Sequence, residues 1–106
     1  MDRTIFTDLN EQTRWFDRDR ATEYDEATRW NGHNFISRAT GSQWEHETLY
    51  QTAKDHRWVL LHDSQWQGSL DTYPAIGHEI AEQVAYRWLL LNDHPLPQAV
   101  EEALEA

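Results

Sequence analysis

Residues 43–66 read QWEHETLYQTAKDHRWVLLHDSQW, and the reading of this stretch decides the fold. Apolar and polar residues alternate with a period of two on either side of Lys54-Asp55-His56, which predicts two strands, 43–53 and 57–66, joined at that tip. A three-residue loop pairs position 53 with 57. One face of the ribbon then carries Trp44, His46, Thr48 and Tyr50 beside Trp66, Ser64, His62 and Leu60. The other face sets Leu49 beside Leu61 and Gln51 beside Val59. Trp58-Val59-Leu60-Leu61 is apolar on both faces, which predicts a central strand.

Upstream, Asn31-Gly32 is a hairpin signal, because the two turn positions of a type I′ turn need positive φ. It joins a strand at 22–30 to one at 33–40. Pairing 30 with 33 places Asp25 opposite Arg38 and Ala27 opposite Ile36, so unlike charges and apolar groups meet. A competing reading makes 18–29 a helix with Ala21, Tyr24 and Ala27 inward. Residues 1–20 support two readings, a short helix capped by Thr7 or Asp8 or a short strand ending at Trp15-Phe16. Downstream, Ile76, Ile80, Val84, Trp88 and Leu91 recur at helical spacing behind Pro74, predicting a helix over 74–91. A last helix is expected over 97–105. The expected class is α+β: an antiparallel sheet of about four strands packed on C-terminal helices. A single domain, 1–106, is expected, with 1–13 and 93–106 peripheral to it.

Composition narrows the function classes. The chain has 106 residues, 19 Asp plus Glu against nine Lys plus Arg, and a formal charge of −10. Lys54 is its single lysine. Arginine-favouring codons in a GC-rich genome explain this balance, and so does a halophile-like composition adapted to high salt. Either way a broad nucleic-acid or membrane surface is disfavoured, because phosphate binding needs a basic stripe. With no cysteine, disulfide, thiol and zinc-ribbon chemistry drop out. No apolar run is long enough for a membrane helix, and MDRTIFTDLN has no basic region leading into an apolar block, so a cytoplasmic location is expected.

No motif dictates a reaction. His78 and Glu82 stand at i, i+4, but Glu82 does not supply the second histidine of H-E-x-x-H, and a solvated helix face explains the pair more simply. His62-Asp63-Ser64 holds the residue types of a hydrolase triad, yet adjacent strand residues point to opposite faces and Asp63 could not orient His62. Glu45 and Glu47 share a strand face; in a glutamate-rich chain chance accounts for them. The most suggestive group is the expected face of Trp44, His46, Thr48, Tyr50, His62, Ser64 and Trp66, where aromatic planes meet hydroxyl and imidazole groups. On it His46 and His62 would be diagonal neighbours, the weak candidates for a metal. The plainer account makes the rings core and lets Thr48 and Ser64 satisfy the imidazoles.

The segments Trp30-Asn31-Gly32-His33-Asn34-Phe35-Ile36-Ser37, Thr40-Gly41-Ser42-Gln43-Trp44-Glu45-His46-Glu47-Thr48-Leu49-Tyr50 and Ser64-Gln65-Trp66-Gln67-Gly68-Ser69 resemble a family of small uncharacterised bacterial proteins. The resemblance extends over about residues 14–92 and includes Ala85-Tyr86-Arg87-Trp88-Leu89. It implies a free-standing small domain and no particular site.

The function expected first is a non-enzymatic protein-interaction module, binding a protein partner or a second copy of itself through the Trp/His face or a sheet edge. The alternatives are a small-ligand or metal-binding protein using His46 and His62, and an acidic mimic of nucleic acid. Arg18, Arg20 and Arg29 interrupt the acidic run from Asp17 to Glu26 and weigh against the mimic. No cofactor is expected.

Overall fold

The computed structural model describes residues 1–30, 32, 35–41, 45–64 and 76–106, with Ser64 described by its backbone alone. The class is α+β, and among the described residues eight strands precede two short helices. The strands are β1 (Arg3–Thr7), β2 (Thr13–Asp17), β3 (Thr22–Asp25), β4 (Thr28–Trp30), β5 (Phe35–Ser37), β6 (Glu45–Gln51), β7 (Trp58–Ser64) and β8 (Ile76–Ile80); the helices are α1 (Glu82–Leu91) and α2 (Gln98–Leu104). The four-strand antiparallel sheet expected from the sequence is replaced by a mixed six-stranded sheet in the order β2-β1-β8-β7-β6-β3, with β4 and β5 forming a separate ribbon.

The first twenty residues form a hairpin, because Asp8 builds its turn. One carboxylate oxygen of Asp8 accepts the amides of Asn10 and Gln12, each at 2.9 Å, and the other holds Arg14 Nε at 2.6 Å. This side-chain mimicry of a backbone turn lets Glu11 take a positive φ of 62°.

The expected strand 22–30 is broken into β3 and β4 at Glu26-Ala27. β3 joins β6, with Tyr24 opposite Leu49, whereas β4 pairs with β5. The break follows from what the two residues bind. Glu26 takes hydrogen bonds from Ser37 Oγ at 2.5 Å and Glu47 N at 2.8 Å, and Ala27 N donates to Asn92 Oδ1 at 2.8 Å. Thr28 meets Ser37 and Trp30 meets Phe35, two positions further out than a tight Asn-Gly turn would set them. Asn31, His33 and Asn34 of that turn lie outside the described residues, as do 42–44 at the start of the expected strand 43–53 and 65–66 at the end of the expected strand 57–66.

The helix expected over 74–91 is corrected to a strand, β8, followed by α1. Ile76, His78 and Ile80 satisfy a period of two as well as a helical one, and the backbone's surroundings decide between them. β8 lies antiparallel to β7 and parallel to β1. A Cβ added to Gly77 would stand 3.0 Å from both Ile5 O and Phe6 Cβ, so glycine is what lets the two strands approach. The C-terminal helix expected over 97–105 is α2, and none of its residues is buried.

The two faces of the sheet carry two cores. On one, Ala85, Trp88 and Leu89 of α1 pack with Leu49, Trp58 and Leu96. On the other, Phe6, Phe16, Tyr50, Val59 and Leu61 pack together. The second core shows the curvature of the sheet. β2 and β6 are separated by three intervening strands, about 19 Å if the sheet were flat, yet the rings of Phe16 and Tyr50 lie with centroids 5.4 Å apart. The sheet is therefore a half-barrel, curled around these rings. Arg18 Nη2 donates to the Tyr50 hydroxyl at 2.8 Å and that hydroxyl donates to Glu23 Oε1 at 3.0 Å, tying the two ends of the curl across its seam.

Candidate functional site at the seam of the curled sheet

The face singled out from the sequence is divided by the register of β6 and β7. Gln51 pairs with Trp58, Glu47 with His62 and His46 with Asp63, one position away from the expected pairing. A one-residue slip exchanges the faces of one strand against the other. Its cause is the loop. His56 sits at φ 55°, and Thr52 closes the tip through both backbone and side chain: Thr52 N donates to Arg57 O, and Thr52 Oγ1 accepts from Arg57 N, each at 2.9 Å. The loop thus gains a residue over the three expected.

Consequently His46 and His62 point to opposite sides of the sheet and share no ligand position. Tyr50 is 2 % exposed and belongs to the inner core. Thr48 is half-buried beside Asp25 and Leu61. Trp44 and Trp66 lie outside the described residues, and so does the side chain of Ser64.

His46 is held instead by Glu26, with Nδ1 2.5 Å from Oε1. On the helix side, burial pushes the Glu47 carboxyl above its usual range, against the opposing pull of the neighbouring His62. The buried Trp88 Nε1 lies beside the Glu47 carboxylate and also works against the rise, although it falls outside strict hydrogen-bond geometry. No three His, Asp or Glu side chains among the described residues gather in a way that would hold a metal.

A further hollow lies elsewhere, at the seam. A cavity of about 620 Å³ runs along the whole of β2 and is closed on its far side by the β6–β7 loop, Thr52–Asp55, and by Arg57. Phe6, Phe16 and Trp15 give it apolar walls. Arg14, Arg20, Lys54 and Arg57 also line it, four of the nine basic residues of a chain with a net charge of −10, together with the carboxylates of Asp17 and Asp55. Arg14 is committed to Asp8, and Arg57 to Asp55 and Glu79. Burial works against the Asp55 carboxylate, but its bonds from Arg57 and Thr52 outweigh that and hold its pKa below the ordinary value. Arg20 and Lys54 make no ion pair among the described residues.

The backbone of β2 completes the site. Arg18 N bonds to Asp2 O and Asp8 N to Gln12 O, which bracket the β1–β2 ladder. Hydrogen-bonded pairs alternate along an antiparallel ladder, so Thr4–Phe16 and Phe6–Arg14 are the bonded pairs between them. The N–H and C=O groups of Thr13 and Trp15 therefore point away from β1, toward the cavity, and meet no strand among the described residues. Asp17 points the same way, but its carbonyl is taken by the amides of Arg20 and Ala21.

The opposite edge of the sheet is treated differently. There Asp25 O accepts from His94 Nε2 at 2.5 Å, and Ala27 uses its N–H on Asn92 Oδ1 and its C=O on Arg38 N. His94 and Asn92 of the turn after α1 thus cover the Asp25–Ala27 end of that edge, whereas Thr13 and Trp15 of β2 have no backbone partner on their outer side among the described residues.

This open edge carried no local signal. Its cations are spread over positions 14, 20, 54 and 57 and meet only because two hairpins that are distant in sequence form the two sides of the seam. Comparison with protein-family models, with curated proteins and with solved structures finds no match to this chain. No helix among the described residues is long and apolar enough to cross a membrane.

Proposed function

We propose that the chain is a non-enzymatic protein-interaction module that receives an extended segment of another protein along the outer edge of β2. The observation that carries this reading is the contrast between edges. The β3 edge is covered at its Asp25 end, while the Thr13 and Trp15 backbone groups open onto a cavity with room for side chains. Strand addition uses main-chain hydrogen bonds for affinity and pockets beside alternate residues for selectivity, and both are provided here. Edge strands left open are otherwise a liability, which proteins normally cover or distort.

The test is Thr13→Pro. Proline at an edge position whose N–H points outward leaves the internal ladder intact. Peptides selected on the wild-type chain from a random display library should lose binding to this variant, while its circular dichroism and melting stay close to wild type. Peptides that bind the variant equally well would place the interaction elsewhere.

A second reading is supported by the cavity volume, which falls within the range of roughly 300–1,000 Å³ common for small-molecule sites. A small amphipathic anion would use the aromatic walls and the cations without needing the Thr13 amide, so its binding would be indifferent to the proline.

A further inference from the structure

Resting on the strand-addition reading, we infer that the guest is an acidic segment, with carboxylates on the alternate residues that enter the cavity. Side chains of an added strand point alternately to the two faces of the sheet. Those on the face of Arg14 and Phe16 enter the hollow, and those on the other face pass Trp15, whose ring is covered by the Arg3 guanidinium at 4.6 Å. The inward-facing side chains meet Arg20 and Lys54, the two lining cations without a carboxylate partner among the described residues. Arg20 stands in the turn after β2, and Lys54 at the tip of the β6–β7 loop across the seam.

The same charges argue against a second copy as the guest. Two β2 edges brought together would bring the Arg20 and Lys54 charges of one chain toward those of the other, which costs free energy on a strand edge. An acidic guest reverses the sign of that interaction.

The experiment compares three capped, dye-labelled peptides with one alternating Thr/Val backbone and Glu, Gln or Lys at every second position, measured by fluorescence anisotropy on the full chain. The Glu peptide is expected to bind about tenfold more tightly than the Gln peptide, which is what two exposed ion pairs supply. The gap should close as salt rises from about 0.05 to 0.5 M, where screening becomes short-ranged. Arg20→Gln with Lys54→Gln should bring the Glu peptide down to the Gln peptide and leave the Gln peptide unchanged.

Equal binding of the Glu and Gln peptides, both abolished by Thr13→Pro, would overturn the acidic guest and leave strand addition standing. If no peptide binds the wild type, both fall. If glutarate, which has no peptide backbone, binds as tightly as the Glu peptide, the site is a small-anion pocket and the inference is wrong. Concentration-dependent self-association of the chain alone, abolished by Thr13→Pro, would make a second copy the guest and overturn it equally.

Discussion

Gly77→Ala has opposite signs in the two ways of reading residues 74–91. In a helix, replacing glycine by alanine stabilises by about 1 kcal/mol, because alanine loses less backbone freedom on folding. In β8 the added methyl would lie 3.0 Å from Ile5 O and from Phe6 Cβ, whereas carbon contacts settle at roughly 3.5–4.0 Å. The first of these neighbours is a backbone atom of a strand held on both sides, and the second is the root of a buried ring. Neither swings away, so β1 and β8 must separate by a few tenths of an ångström. Overpacking of this kind costs about 1–3 kcal/mol. In a domain of this size that is a fall in melting temperature of about 5–20 °C. Urea denaturation of wild type and variant, followed by tryptophan fluorescence, reads the difference directly. The midpoint should drop with the slope unchanged. An unchanged or raised midpoint would refute the strand assignment and the close packing of β8 on β1.

Three further outcomes follow from the same contacts. Glu26→Ala removes the acceptor of Ser37 Oγ, Glu47 N and His46 Nδ1 together and should cost about 3 kcal/mol in denaturant unfolding, with Glu26→Gln intermediate. The Asp8 carboxyl is held below its ordinary pKa, first by Arg14 and then by the Gln12 amide. Its stabilisation is therefore complete above the unfolded-state pKa, about 3.9, and is lost as pH falls through the lower folded value; Asp8→Asn should melt earlier than wild type at pH 7 and converge with it in strong acid. Glu47 has the opposite sign, because burial raises its pKa. Glu47→Gln should raise the melting temperature at neutral pH, and the gain should disappear below the ordinary carboxylate range.

Particular residues show why some of this architecture was legible in the sequence and some was not. The β6–β7 hairpin was visible because Trp58-Val59-Leu60-Leu61 can only be a doubly buried strand or a helix segment, and its flanking residues alternate. Its register was not, since that depended on Thr52 bonding across the loop to Arg57 and on His56 adopting a left-handed backbone. A single position then reassigned His46 and His62 to different faces and removed the geometry of the expected site. β8 was misread because Ile76 and Ile80 fit both periods, although Gly77 was a local sign of close backbone approach. The N-terminal hairpin was concealed by Asp8, which caps helices as readily as it closes turns. The seam could not be read at all. It exists because the sheet curls far enough for Phe16 and Tyr50 to touch, a property of the assembled sheet and not of any segment.

Amide hydrogen exchange at Thr13 and Trp15 tests strand addition most directly, measured with and without a saturating Glu-substituted peptide. Both amides should exchange freely in the unliganded chain and become protected in the complex, while the Ala27 amide, already bonded to Asn92, stays as it was. Bound peptide with no added protection at Thr13 and Trp15 would contradict the account.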